Sequence, residues 1–527
     1  MSGTAALGAG QATAGVETSG ARRTAASFHG EQRAVVVLLA LQFGGLLYLS
    51  AAVYRAFSLQ EDFGIYYQAW WLLDHGRLDP FSSLLGIPFV ASNAELTFWP
   101  LAALGRLWGG AFLLLALQDL ALVATNAVTI AWVWEALRRE ERLNSSQQRV
   151  LRLATLSGIL LDPWCYQSAR YDFHLEVLIA LVAVLTGQAL WRGRSRLVIL
   201  LAALLLLSGS SGALAVFGIG LGGLLTRKQR TLSGWLALEG VTAALVLSHL
   251  GLVGAHGALF DNQYRYLTSV HHGPVGWAAV LAGILHHPVV PLRELASKAP
   301  LVLELAIPAG LLGIVSPWGF GMVVGVLLPG LLASGSFLNP FAAFQAWPAL
   351  PFVTLGSAVL FARLLQSGLP VRIRAVLLRL SLGVLGSATG VLLLSWASTT
   401  AVVVGAQARA ATGAAAVLRT TTPGDEVAAW ASAVGRFAGR EWVYTFGAPS
   451  ATLPIHSRTV VFLLPGPGVY GAGTAATASG RIAREAERLG ARRIPGASPW
   501  IAFVWHPGPD VTAVRLAGFR PIRAARA

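Results

Sequence analysis

Two adjacent carboxylates open an aromatic segment, Glu61-Asp62-Phe63-Gly64-Ile65-Tyr66-Tyr67-Gln68-Ala69-Trp70-Trp71. A carboxylate beside apolar surface can take the proton of a hydroxyl as its oxygen attacks a sugar's anomeric carbon. Asp62, with Glu61 next to it, is the candidate base, and Tyr67 and Trp70 are candidate substrate contacts. A plainer role fits equally. Acidic groups in a helix's first turn favour its N-terminal dipole by about 0.3 to 1 kcal/mol, and aromatic residues gather at membrane interfaces.

A second cluster is Arg170-Tyr171-Asp172-Phe173-His174-Leu175-Glu176, with charged groups packed between apolar runs. Such groups are costly at a membrane edge unless they pair or bind something. Arg170 and His174 suit a phosphate while Asp172 or Glu176 orients the imidazole; an ion-pair network locking two helices is the alternative. His174 and Glu176 lack a second histidine at helical spacing, so no metal site is expected, and the sequence names no cofactor. A third group, Asp261-Asn262-Gln263-Tyr264-Arg265-Tyr266, offers an arginine fork between two aromatic faces. Asn339-Pro340 and Gln345 add polar contacts. The pairs His271-His272 and His286-His287 read as solvated loop residues. Cys165 is the single cysteine and reads as a small packing residue.

These groups need a frame, and composition supplies it. Of 527 residues 55% are hydrophobic and only 12% charged, about half the charge of a soluble domain. The chain is therefore expected to be an α-helical polytopic membrane protein. Residues 1–34 read as a disordered cytoplasmic tail. The first crossing spans Val35 to Tyr54, and further apolar runs fall near 111–134, 150–168, 174–191, 197–209, 212–226, 232–254, 300–316, 318–334, 344–365 and 377–401. That predicts about 11 crossings of a ~30 Å hydrocarbon layer. Arginine clusters at 138–149, 192–196, 227–230 and 363–374 share one parity, the tail's, which is the pattern of cytoplasmic loops. The net charge of +15 is thus largely a topology signal, and no nucleic-acid partner is expected. Asn144-Ser145-Ser146, a glycosylation sequon, falls on this same side and is discounted.

The membrane domain is set at 35–401, with outer loops 55–110 and 255–299. The short runs 197–209 and 212–226 meet at Ser208-Gly209-Ser210-Ser211-Gly212, where small residues permit close approach. Residues 402–527 form a small α/β domain outside the membrane, with a helical pattern from Pro423 to Phe437, strands at 441–446 and 459–464, a helix over 474–489 and a strand at 500–505. Pro465-Gly466-Pro467-Gly468 does not match a nucleotide loop.

The motifs E-D-F-G-x-Y-x-Q-A-W, Y-D-F-H-x-E, Y-R-Y-L and P-G-D-E-V resemble, in this order, a bacterial predicted-membrane-protein family known as a domain of unknown function. That family is similar in plan to C-type (GT-C) glycosyltransferases, which use polyprenyl-phosphate-linked sugars and carry an acidic residue in the first outer loop. The resemblance implies a multi-pass protein of the bacterial cytoplasmic membrane with its N-terminus inside. It implies a membrane lipid, a polyprenyl-phosphate-linked sugar and an envelope acceptor as partners, with Asp62, Asp172, His174 and Glu176 on the family's site positions. Two departures stand out. Ser210-Ser211-Gly212 replaces a Lys-Glu-Asp-like triplet, and no histidine stands near Glu95 and Thr97. The expected function is sugar transfer on the outer face, against a transporter or lipid flippase and a non-catalytic envelope-assembly protein. On the first reading Asp62, Arg170, His174 and Arg265 converge on one lipid-accessible cavity.

Overall fold

The computed structural model describes residues 10–106, 110–252, 263–268, 275, 277–334, 343–368, 370–446 and 451–524, with side chains from residue 30 onward except at Asn93, Arg106, Trp277 and Ala278. Asp261, Asn262, His271, His272, Asn339 and Pro340 lie outside the described residues. Two units are distinguished, residues 1–45 and 46–527. The first contains most of helix α1 (Gly10–Arg55), which begins inside the stretch read as a disordered tail. Alanine-rich sequence has high helix propensity, and extending an existing helix avoids the cost of nucleation.

In the second unit, α2 (Glu61–Asp74) is followed by a small hairpin, β1 (Phe81–Ser82) and β2 (Ile87–Pro88). The helices α3 (Phe112–Arg138), α4 (Ser145–Leu160), α5 (Pro163–Arg170), α6 (Leu175–Trp191), α7 (Ser195–Leu206), α8 (Gly209–Leu225) and α9 (Arg230–His249) come next. After several short helices come α10 (Leu350–Gln366) and α11 (Val371–Thr420). Among the described residues four helices are long and apolar enough to cross a membrane: Gly30–Arg55 within α1, α3, α9 and α11. The helices α6, α7, α8, α10 and the run Pro317–Leu332 are apolar but shorter.

Three expected segments are rebuilt. The run 150–168 is broken at Pro163, which starts α5 and has no N–H to continue α4; Asp162 caps the new helix through Trp164 N at 2.9 Å. The run 300–316 is helical only over Ala299–Ala306 before a turn at Leu312–Val315. The outer loop 255–299 includes helices Trp277–His286 and Val289–Ser297. The arginine clusters do gather. Glu135 near the end of α3 holds Arg139 at 2.9 Å and Arg192 at 2.5 Å, Gln229 bonds Leu190 O and Ser195 Oγ, and Gln366 reaches Glu140 at 3.1 Å. All four arginine groups therefore lie at one end of these helices.

The C-terminal part carries a five-stranded sheet ordered β4-β3-β6-β8-β7, from β3 (Glu426–Trp430), β4 (Val443–Phe446), β6 (Val460–Leu464), β7 (Arg492–Arg493) and β8 (Ile501–Trp505). A second sheet is ordered β10-β9-β5, from β5 (Thr452–Pro454), β9 (Val511–Arg515) and β10 (Arg520–Arg523). The expected strands at 441–446, 459–464 and 500–505 correspond to β4, β6 and β8, and the expected helix is α12 (Ala475–Arg488). The expected helix from Pro423 to Phe437 is instead β3 and a short 3-10 turn. Parallel pairing with β4 and β6 on both sides, and burial of Val427, Ala428 and Ala429, outweigh the local helical pattern.

The far end of α11 packs on this domain through Ala410, Ala414 and Val417. At Gly413 an added Cβ would lie 2.1 Å from Ala497 O and 2.4 Å from Ser498 O. Gly413→Val should cost about 1 to 3 kcal/mol by overpacking and expose the 491–505 region to protease. Gly405→Ala, inside α11 where a Cβ meets open space, should leave the cleavage pattern unchanged and the melting temperature no lower.

Candidate active site

The backbone N–H groups that start α2 need acceptors, and the N-cap side chain, Gln60, provides none. They are met from far along the chain. Asp172 accepts from Gln60 N at 2.9 and 3.1 Å and from Phe63 N at 3.1 Å. The turn carrying Asp172 is held by Gln118 of α3, whose Nε2 donates to Ser168 O at 2.8 Å and whose Oε1 accepts from His174 N at 2.8 Å. The pair of acids at the start of α2 and the charged turn before α6 are thus built as one piece.

The His174 ring lies flat against Phe344, with centroids 3.4 Å apart and planes 10° from parallel, and Tyr171 stacks at 5.5 Å. Its Nε2 is 3.6 Å from Asp62 Oδ2 and its Nδ1 is 3.9 Å from Glu176 Oε2. Burial among rings lowers the imidazole to about 3, so it is neutral. Asp62 is the more exposed of the two, its side chain 45% exposed against 8% for His174. Burial raises its carboxyl, and burial together with the charge of Asp62 raises Glu61 to about 7. Asp172 is also pushed up to about 7, by burial first and then Asp62, with its hydrogen bonds to Gln60 and Phe63 opposing.

Glu95 was not singled out as a site residue. It is 2% exposed, accepts from Tyr66 OH at 3.1 Å, and its Oε2 has no partner among the described residues. Burial, then the charge of Glu176, raises it well above the usual carboxylate range. The signal in the sequence was a lone acid in a segment, Ala91 to Trp99, with no other charged residue. The tip between α7 and α8 closes this group: Glu95 bridges Ser208, Thr97 Oγ1 lies 3.0 Å from Ser208 Oγ, and Ser211 Oγ donates to Glu176 at 3.3 Å. Gly212 is required there, since a Cβ would fall 1.8 Å from Leu205 O.

Of the four residues expected to converge, Asp62 and His174 are neighbours. Arg170 turns instead into a chamber with Trp164, Gln167, Glu304 and Trp396. Arg265 opens the short turn Arg265–Leu267, and the flanking hydroxyls of Tyr264 and Tyr266 donate to Pro329 O at 2.8 Å and Leu332 O at 2.6 Å. Those tyrosines are committed to main-chain carbonyls. Trp70 is 2% exposed and packs edge-on to Phe98, and Tyr67 lies over Gly439, so both serve packing. Cys165 is fully buried beside Asn126. No group of three His, Cys, Asp or Glu among the described residues is arranged to hold a metal ion.

The sequence profile described as "Predicted membrane protein (DUF2079)" matches residues 54–411. The chain belongs to this family. No curated protein matches it in sequence. Two solved structures are similar: ArnT from Cupriavidus metallidurans bound to undecaprenyl phosphate, at 13% identity, covering 89% of this chain and 99% of that one with a TM-score of 0.43, and the apo form, at 14% identity, 89% and 100% coverage and 0.42. The family's match covers the α2 acids, the charged turn and the α7–α8 tip alike.

Two outcomes follow from this geometry. Asp172→Ala removes the cap of α2 and should lower stability by about 1 to 2 kcal/mol, read by thermal unfolding, with Asp172→Asn losing less. His174 has a folded-state value below its unfolded one, so the folded protein binds fewer protons and stability falls as pH drops from about 6.5 toward 3. His174→Phe keeps the stack on Phe344 and should shrink the difference in melting temperature between pH 7 and pH 5.

Proposed function

We propose that this protein is a membrane glycosyltransferase, moving a sugar from a polyprenyl-phosphate donor to an envelope acceptor on the outer face of a bacterial cytoplasmic membrane. In this reading the N-terminus is cytoplasmic, about eleven segments cross a ~30 Å layer, and the C-terminal domain is extracytoplasmic. The supporting observation is the Asp62–His174 pair: a half-exposed carboxylate 3.6 Å from a buried, neutral imidazole, at the start of a helix fixed by Asp172.

Asp62 accepts the proton of the acceptor hydroxyl while that oxygen bonds to the anomeric carbon. The bond from that carbon to the phosphate oxygen breaks, and its electron pair leaves with the phosphate, inverting the centre. A carboxylate raised by burial is a stronger base than one in water. His174 and Tyr66 bound the position of the acceptor, and Arg170, which lines a separate cavity, is not assigned to the departing phosphate. A second reading has its own support. The bonding of Ser211 to Glu176 ties the tip to α6, as a structural cluster in a non-catalytic envelope-assembly protein would.

The two readings separate in Asp62→Asn. With radiolabelled polyprenyl-phosphate sugars, purified variant should transfer about 10²- to 10⁴-fold more slowly than the parent, at unchanged protein level and melting temperature. Equal transfer by parent and variant would remove Asp62 from the chemistry.

A further inference from the structure

The last turn of α1 and the C-terminal end of α11 flank an open cavity of about 430 Å³. Three arginines border it: Arg55 of α1, Arg419 of α11 and Arg436 of the 3-10 turn Val434–Phe437. No acidic residue does, and among the described residues none of the three arginines forms an ion pair. A cation in a helix's last turn favours the C-terminal dipole, which accounts for Arg55 and Arg419 taken singly. It does not account for a third arginine brought to the same cavity from another element. A cleft lined by one sign of charge focuses its field and draws ions of the other sign.

Arg436 is held in place. Its guanidinium carbon lies 3.7 Å from the centre of the Tyr54 ring and 4.5 Å from that of Phe57, and Nη1 donates to Tyr54 O at 2.7 Å. The rest of its fork has no partner among the described residues. Phe57, which also borders the cavity, has a φ of +53°, a left-handed backbone that bulky residues rarely adopt. Such strain persists only where packing holds it, and it gathers at ligand clamps. An arginine fork fixed in this way suits a carboxylate or a phosphate. The volume asks for more than one such group, because a cavity of about 150 Å³ already admits benzene. Thr412, Ala415 and Arg419 line it along one stripe of α11, about 10 Å long at ~1.5 Å per residue. The cavity also adjoins the candidate active site. Gly435 N donates to Leu59 O at 3.2 Å, and a Cβ on Gly64 would lie 3.6 Å from Gly435 Cα. The turn carrying Arg436 therefore packs on the first turn of α2, which carries Asp62.

We propose that this cavity binds an acidic glycan, a sugar chain bearing carboxylates or phosphates, as the acceptor whose hydroxyl reaches Asp62. Its role as acceptor rests on the function proposed above; the grip of Arg55, Arg419 and Arg436 on a polyanion does not. Anionic lipid heads share this chemistry but not this height. Thr412 and Arg419 stand 11 and 18 residues past residue 401, the expected end of the crossing, or about 16 and 27 Å along the helix. The head-group layer adds only about 5 to 8 Å to each side of the hydrocarbon, so the stripe on α11 rises clear of it, toward a chain in the aqueous envelope.

The test titrates the full chain, in phosphatidylcholine nanodiscs, with oligogalacturonate, short-chain polyphosphate or neutral dextran oligomers of matched length. Both polyanions should bind about tenfold or more tighter than dextran and weaken as salt is raised. The double variant Arg55→Gln with Arg419→Gln changes two exposed side chains and should weaken both polyanions about tenfold at an unchanged melting temperature. Arg436→Lys keeps the charge without the fork and should weaken them about threefold. Arg481→Gln with Arg484→Gln removes the same charge from the exposed side of α12 and should change affinity less than about twofold. An equal loss in that control would reduce the effect to net charge and overturn the site. So would phosphatidylglycerol retained in native mass spectra of the parent and lost from the first double variant, with no polyanion bound. Asp62→Asn should bind polyanions like the parent. Binding with no sugar transfer by any form sinks the proposed activity and leaves the site, whereas transfer that ignores both the acceptor's charge and Arg55→Gln with Arg419→Gln sinks the acceptor role and leaves the activity.

Discussion

The arrangement of the acids at the start of α2 depends on the carboxylate of Asp172. A helix that begins at a membrane edge exposes N–H groups that neither lipid nor a buried neighbour satisfies, and α2 brings no cap of its own. Asp172 supplies the acceptors from 112 residues away, and Gln118 in turn fixes the turn on which Asp172 sits. Remove that link and the first-loop acids lose their register with His174. Asp172 is thus a positioning residue, which is a different role from the substrate contact its sequence neighbourhood suggests.

Around this link the protein gathers acids. Burial raises Glu61, Asp62, Asp172 and Glu95, Asp62 adds to the rise at Glu61 and Asp172 and Glu176 to that at Glu95, and His174 beside them is neutral. Burial of several carboxylates without an adjacent cation favours their protonated forms. Such groups donate as well as accept hydrogen bonds, and Asp62, with its side chain 45% exposed, can exchange its proton with solvent. The gap of 3.6 Å to His174 leaves the two in reach without a fixed hydrogen bond.

The arginine expected to complete this group faces the other way. A guanidinium beside five carboxylates would pair with them and give up its capacity for phosphate. Turned toward Gln167, which also bonds Trp396, it lines a small cavity with Glu304 and Thr400. The same seven-residue motif therefore serves two sides: its acidic half faces α2 and its basic residue faces α11.

Much was legible in the sequence because it depends on composition or short spacing. Low charge and long apolar runs gave the membrane class, the arginine parity gave the end at which Arg139, Arg192, Gln229 and Gln366 meet, and alternation gave β4, β6 and β8. Asp62 and His174 were expected as two of four residues in one cavity; these two are neighbours, while Arg170 lines another cavity. Tertiary structure alone decided the rest. Glu426–Trp430 became a strand because two neighbours pair with it, α4 and α5 separate at Pro163, Trp70 turned inward, and Glu95 joined the acids through its bridge to Ser208. A sequence states which groups are present and how they repeat along one element, but the direction of a side chain at a helix end is set by what packs against it. Arg170 and Asp172 stand two residues apart, and only contacts with α11 and α2 send one to a cavity beside Trp396 and the other to the backbone of α2.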